Sequence, residues 1–184
     1  MTKQIGIIVG SARKNAFSQL VAEAIAPLFP EDVEVVFPKI SDLDMFNQDY
    51  DDEGATPSSW VRFRSEVKEL DGVMIVTPEH NRSMPALLKN ALDVASRPYG
   101  ENMWSGKPGA VLGVSPGAMG GFGAVHDVRT VASFLDLQLL NQPEVYLGQV
   151  TNFIKEDGLL KEDTIGFLQS VVDAYMVWFD QVSK

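Results

Sequence analysis

Three short stretches of this chain are apolar without interruption: Ile5 to Val9, Val73 to Val76 and Ala110 to Val114. A strand with one wet face alternates apolar and polar residues, whereas a strand buried on both faces reads as a continuous apolar run. Each run ends in a polar loop, and each loop leads into apolar residues at helical spacing. Strand, loop and helix repeated in this way call for a parallel sheet covered on both faces.

Taken in order, Ile5 to Val9 ends at Gly10-Ser11-Ala12-Arg13-Lys14-Asn15, and Leu20, Val21, Ala24, Ile25 and Leu28 then mark a helix face. Val33 to Phe37 reads as the second strand. Ser41 to Ser59 is acidic and irregular, and Val61, Phe63, Val67 and Leu70 mark the next helix. The third strand, Val73 to Val76, opens into Thr77-Pro78-Glu79-His80-Asn81-Arg82. Ser83 is expected to cap the following helix, with Pro85 in its first turn and Leu88, Leu92 and Ala95 inside. Ala110 to Val114 is the fourth strand, followed by a glycine-rich loop and a helix carrying Val125, Val128, Ala132 and Leu135. A fifth strand is expected between Leu137 and Leu147, and a last helix from about Thr164 to Val182.

Five such units predict a three-layer, doubly wound α/β fold in the flavodoxin-like order 2-1-3-4-5. With 184 residues and 45% hydrophobic composition, residues 1–184 are expected to form one domain around one core. The switch point of that order lies between strands one and three, which sets the Gly10 loop beside the Pro78 loop with the Ser115 loop closing the far side.

Composition removes several functions. The chain has no cysteine, so thiol nucleophiles, disulfides and thiolate metal sites are out. A net charge of -10 argues against nucleic acid as a partner. No apolar run approaches the ~20 residues of a membrane span, and the first apolar run ends too soon for a signal peptide, so a soluble cytoplasmic protein is expected. The acidic residues Asp42, Asp44, Asp49, Asp51, Asp52 and Glu53 lack the order of a calcium loop and read as a solvated segment. No metal is expected. Trp60, Trp104 and Trp178 read as core or interface anchors, and His126 as a helix-surface or subunit-interface residue.

The first loop suits an anion. Ser11, Arg13 and Ser18 offer hydroxyl and guanidinium donors, and the amides opening the next helix add a favourable dipole. Arg13 can grip phosphate oxygens as a fork. The third loop offers backbone groups, a carboxylate, an imidazole and an amide at the carboxyl end of its strand, where open parallel sheets bind ligands.

Together, Gly10-Ser11-Ala12-Arg13 with Phe17-Ser18, Thr77 to Pro85 with Leu88 to Asp93, Gly106-Lys107-Pro108 and Ser115-Pro116-Gly117-Ala118 resemble the NADPH-dependent FMN reductase family, and within it the bacterial quinone and chromate reductases. The resemblance implies bound FMN, NADPH or NADH as donor, and homodimers or homotetramers. Electrons would pass in pairs to a quinone, a flavin, an azo compound or chromate, with ping-pong kinetics. By position it puts Ser11, Arg13, Phe17 and Ser18 around the FMN phosphate and ribityl chain. Pro78, Glu79, His80, Asn81 and Arg82 would line the isoalloxazine, and Ser115 and Gly117 its edge. Ala16 and Ser18 stand where the family commonly has serine and asparagine, and His80 stands where an aromatic residue is frequent. Hydride chemistry belongs to the cofactor, so no catalytic acid or base is assigned. Backbone N–H groups of the third loop would stabilise a negatively charged ring edge, and Glu79 is expected to act through its backbone or face away.

Two other functions compete. A flavodoxin-type FMN electron carrier shares the fold, but its phosphate loop is usually threonine-rich. Gly113-Val114-Ser115-Pro116-Gly117 matches the G-x-S-x-G elbow of serine hydrolases, yet Pro116 has no N–H for an oxyanion hole and His126 follows too closely.

Overall fold

The computed structural model describes residues 2–183. In chain order the elements are β1 (Lys3–Val9), α1 (Phe17–Ile25), β2 (Val33–Val36), α2 (Asp49–Asp52), α3 (Ser58–Glu69), β3 (Gly72–Thr77), α4 (Ala86–Val94), β4 (Pro108–Val114), α5 (Phe122–Phe134), β5 (Gln138–Leu139), β6 (Val145–Leu147) and α6 (Glu162–Val182). The strands form one parallel sheet in the order β2-β1-β3-β4-β5, with β6 also on β4. This is the expected doubly wound order.

The continuous apolar runs divide between two cores because alternate strand residues point to opposite faces. Ile5, Ile7, Met74, Val76 and Leu112 meet α1 and α6 through Val21, Ile25, Leu168, Val172 and Tyr175. Ile8, Val73, Ile75 and Val111 meet α3, α4 and α5 through Trp60, Phe63, Leu88, Leu92 and Val125. Every residue of β3 is buried, as suits the strand at the centre of the fold.

Four details differ from the sequence-based expectations. The fifth strand is two pieces: β5 pairs with Pro108 and Gly109, and β6 with Leu112 to Val114. Pro143 lies between them, and a residue without an N–H cannot extend a ladder. Ser83 does not cap α4. Its N–H instead donates to the His80 carbonyl, Pro85 occupies the N-cap position, and the helix begins at Ala86. On α3, Trp60 rather than Val61 takes the core position, and Val61 is exposed.

The acidic segment is not uniformly solvated. Asp51, on α2, holds Arg64 of α3 through two hydrogen bonds of 2.7 and 2.6 Å, both side chains being about nine-tenths buried. Arg64 also donates from Nε to the Val94 carbonyl at the end of α4, and its guanidinium lies 5.1 Å from the Trp60 ring. This buried pair ties the acidic segment to two helices of the scaffold. Trp60 and Trp104 are fully buried and donate from their indole nitrogens to the Asp44 and Leu92 carbonyls.

Candidate functional site

Register brings the first and third loops together. Val9 pairs with Val76, and the Gly10 N–H donates to the Val76 carbonyl at 2.9 Å. The strands are so close here that a Cβ on Gly10 would lie 2.8 Å from Thr77 Oγ1 and 3.2 Å from its Cα. Only glycine lets the chain leave β1 without pushing β3 aside.

Beyond this junction lies a groove of about 500 Å³, within the size range of small-molecule sites. Ser11, Arg13, Phe17, Ser18, Pro78, Glu79 and His80 line it, all of them singled out from sequence. Asn81 and Arg82 sit at the exposed tip of the third loop. Asn81 faces a second groove, shared with α4 and α5. Ser115 and Gly117 stand back from the groove, and their neighbours Val114 and Pro116 complete its far wall. Ala12, Ala16 and Leu87 line it too. These three carry no polar signature, and only the resemblance to aligned loops could have found them.

The phosphate end is built around the start of α1. Ala16 occupies the N-cap position with extended backbone and supplies no side-chain cap. The amides that open a helix have no partner within it and carry its positive dipole, so they suit an anion. The second helical residue, Ser18, is 1% exposed, and its Oγ has no hydrogen-bond partner among the described residues. A buried hydroxyl without a partner is costly, and a ligand oxygen in the groove would satisfy it. Arg13 lies at the groove's outer side. Its guanidinium reaches the Asn15 carbonyl at 3.2 Å and lies 5.5 Å from the Phe17 ring, and it remains exposed. Uncapped amides, an orphan hydroxyl and a guanidinium fit a phosphate monoester such as that of FMN.

The third loop is a tight hairpin. His80 and Ser83 exchange backbone hydrogen bonds of 2.9 and 3.0 Å, and the two residues between them, Asn81 and Arg82, both have positive φ. Such two-residue turns favour Asn-Gly, so the pair Asn-Arg disguises the turn. The His80 and Ser83 N–H groups are committed to the turn, which leaves those of Glu79, Asn81 and Arg82 as the loop's donors. The Glu79 carboxylate reaches α5 and accepts the Gly123 N–H at 2.7 Å.

The serine-hydrolase pattern has no supporting geometry. Ser115 Oγ accepts the Gly117 N–H at 3.0 Å, and His126 donates from Nδ1 to the Phe122 carbonyl at 2.9 Å. The hydroxyl and the imidazole each have other partners. Among the described residues, no cluster of histidine, aspartate or glutamate could hold a metal ion, and no helix is long and apolar enough to cross a membrane.

A parallel sheet in this order with a groove at its switch point defines the class as a doubly wound, flavodoxin-like α/β protein. The model of the NADPH-dependent FMN reductase family matches residues 4–152, and the chain belongs to that family. A quinone reductase of Pseudomonas putida is 47% identical over 174 residues, covering 95% of this chain and 93% of the relative. A 2-hydroxy-1,4-benzoquinone reductase of Burkholderia is 43% identical, with 97% of each chain covered. Among solved structures, the flavoenzyme NAD(P)H:(acceptor) oxidoreductase of Paracoccus denitrificans superposes with a TM-score of 0.89, at 34% identity and covering 98% of each chain. The protein is therefore an oxidoreductase that uses FMN with NAD(P)H as electron donor.

Proposed function

We propose that the protein carries electron pairs from NAD(P)H to quinones by way of FMN held in the groove between the first and third loops. The observation that supports the placement is the buried Ser18 hydroxyl, which lacks a partner among the described residues beside the uncapped start of α1. Ser11, Arg13, Ser18 and the α1 amides hold the phosphate, with Phe17 beside the ribityl chain. Pro78, Glu79 and His80 would flank the ring, with Asn81 and Arg82 at the loop's exposed tip beyond it, and the loop at Ser115 and Gly117 would border its edge through Val114 and Pro116. When bound, FMN supplies the hydride chemistry that moves two electrons from donor to acceptor. The protein would bind and orient it, and the N–H groups of Glu79, Asn81 and Arg82 would be the third loop's donors toward negative charge on the ring.

Relatives named for quinone reduction, at 47% and 43% identity, support a quinone as acceptor. Donor and acceptor use one open face in turn, which gives ping-pong kinetics. A reaction fed by NAD(P)H suits the cytoplasm. Copies of the chain associate as dimers or tetramers, and Phe134, 83% exposed at the end of α5, offers an apolar contact for sedimentation experiments to probe.

The test is an anaerobic visible spectrum of the FMN-loaded protein before and after NADPH, followed by benzoquinone. Bleaching of the flavin band within seconds and its recovery on adding quinone are expected. Tight FMN binding without bleaching by either NADPH or NADH would identify a passive electron carrier instead.

A further inference from the structure

We infer that Glu79 is a positioning residue for this reaction, setting the backbone of the loop that flanks the flavin ring by capping a helix 44 residues away in sequence. The inference depends on the FMN site proposed above. It starts from α5, whose N-cap residue, Gly121, has no side chain to offer its first amides. Glu79 provides what is missing. Its Oε2 accepts the Gly123 N–H at 2.7 Å and lies 3.4 Å from the Ala124 nitrogen, while Oε1 accepts from Arg82 Nη1 at 3.2 Å. The carboxylate is 12% exposed, against 77% for the Arg82 side chain, so the helix end is its sheltered partner.

Placement at a helix N-terminus favours a negative group. Because Glu79 directly precedes the His80–Ser83 turn, the same contact fixes where that turn stands. The surfaces meet without slack: a Cβ on Gly123 would lie 2.5 Å from the Arg82 carbonyl oxygen and 3.0 Å from Glu79 Oε2. Loop and helix thus form one rigid unit joined by a carboxylate on one side and a glycine on the other. The negative charge of Glu79 is matched by the helix amides and Arg82, so it does not oppose charge developing on the ring. Each side of the junction can be disturbed separately, the carboxylate by removal and the glycine by adding a Cβ.

The experiment compares FMN-saturated wild type with Glu79→Ala, Glu79→Gln and Gly123→Ala, reading kcat and KM for NADPH and benzoquinone, visible circular dichroism of the flavin band, and thermal midpoint. Loss of the junction should lower kcat by about 100-fold in Glu79→Ala and Gly123→Ala, as a misplacement of order 1 Å can. Both variants should also show altered flavin dichroism. Glutamine keeps an oxygen for the Gly123 N–H and should stay within about tenfold of wild type. Folded, FMN-loaded Glu79→Ala with wild-type kcat and dichroism would overturn the inference. If that variant does not fold, Gly123→Ala decides: wild-type behaviour there is equally fatal. A wild-type protein that fails to bind FMN would instead sink the site itself, a failure visible before any variant is made.

Discussion

At the first loop, Arg13 reaches one backbone carbonyl and one aromatic ring, the Ser18 hydroxyl has no partner among the described residues, and an alanine holds the N-cap position of the helix. At the third, two backbone hydrogen bonds close the turn, and a carboxylate fastens it to α5 through a 2.7 Å bond. The loops lie side by side, yet one keeps a buried hydroxyl that no described residue satisfies, while the other is closed and fastened to the scaffold by its own hydrogen bonds. A phosphate brings its own oxygens and can finish an incomplete site. A flat ring has fewer strong handles and gains more from a surface already set in place.

The largest expected effect tests whether the third loop owes its order to the scaffold behind it. Removing one partner of a buried ion pair costs about 3–5 kcal/mol, so Asp51→Ala should lower unfolding free energy by that amount in a denaturant titration. Through Arg64 and the end of α4, the loss should reach the third loop before the first, as hydrogen exchange would reveal. A wild-type exchange rate at His80 and Ser83 would break the link. Acid gives a second route to the same pair. Hydrogen bonds from Arg64 hold the Asp51 carboxyl below its ordinary value despite burial. The pair's contribution is then complete above the unfolded-state pKa and lost as pH falls through the lower folded one. Wild type should therefore lose stability more steeply than Asp51→Asn below about pH 4.

At the first loop the effects should fall on binding. Arg13→Ala should weaken FMN binding by about 1.5–3 kcal/mol, the range for a hydrogen bond to a charged partner, with an unchanged thermal midpoint for the ligand-free protein. Unchanged FMN affinity in the folded variant would remove Arg13 from the phosphate site. The smallest effect is the most telling. Ser18→Ala removes a buried group with no partner, so the ligand-free protein should gain up to about 1 kcal/mol while FMN binding loses about 0.5–1.5 kcal/mol. Opposite signs in calorimetry and flavin titration would identify a hydroxyl kept for its ligand, and equal signs would return Ser18 to the core.

The same contrast explains what could be read from the chain. The sheet order and both cores were legible because Ile5 to Val9, Val73 to Val76 and Ala110 to Val114 are apolar throughout, a pattern that burial on two faces imposes. Ser11, Arg13 and Ser18 were legible because their donors lie together in one loop, whereas Ala12 and Ala16 beside them announce nothing. Elsewhere the partners are distant or the pattern is broken. The fifth strand comes in fragments around Pro143, and a turn with Arg82 at positive φ lacks its usual glycine. Asp51 meets Arg64 only after α2 and α3 have packed, and nothing near Glu79 in sequence announces that it caps α5.

The divided fifth strand also governs what the sheet can stick to. An uninterrupted border of unpaired amides and carbonyls is a template on which another chain can add a strand. Here one border is the four residues of β2, and the other is broken into segments of two and three. Both margins are short, so the folded protein offers little border on which a foreign strand could pair.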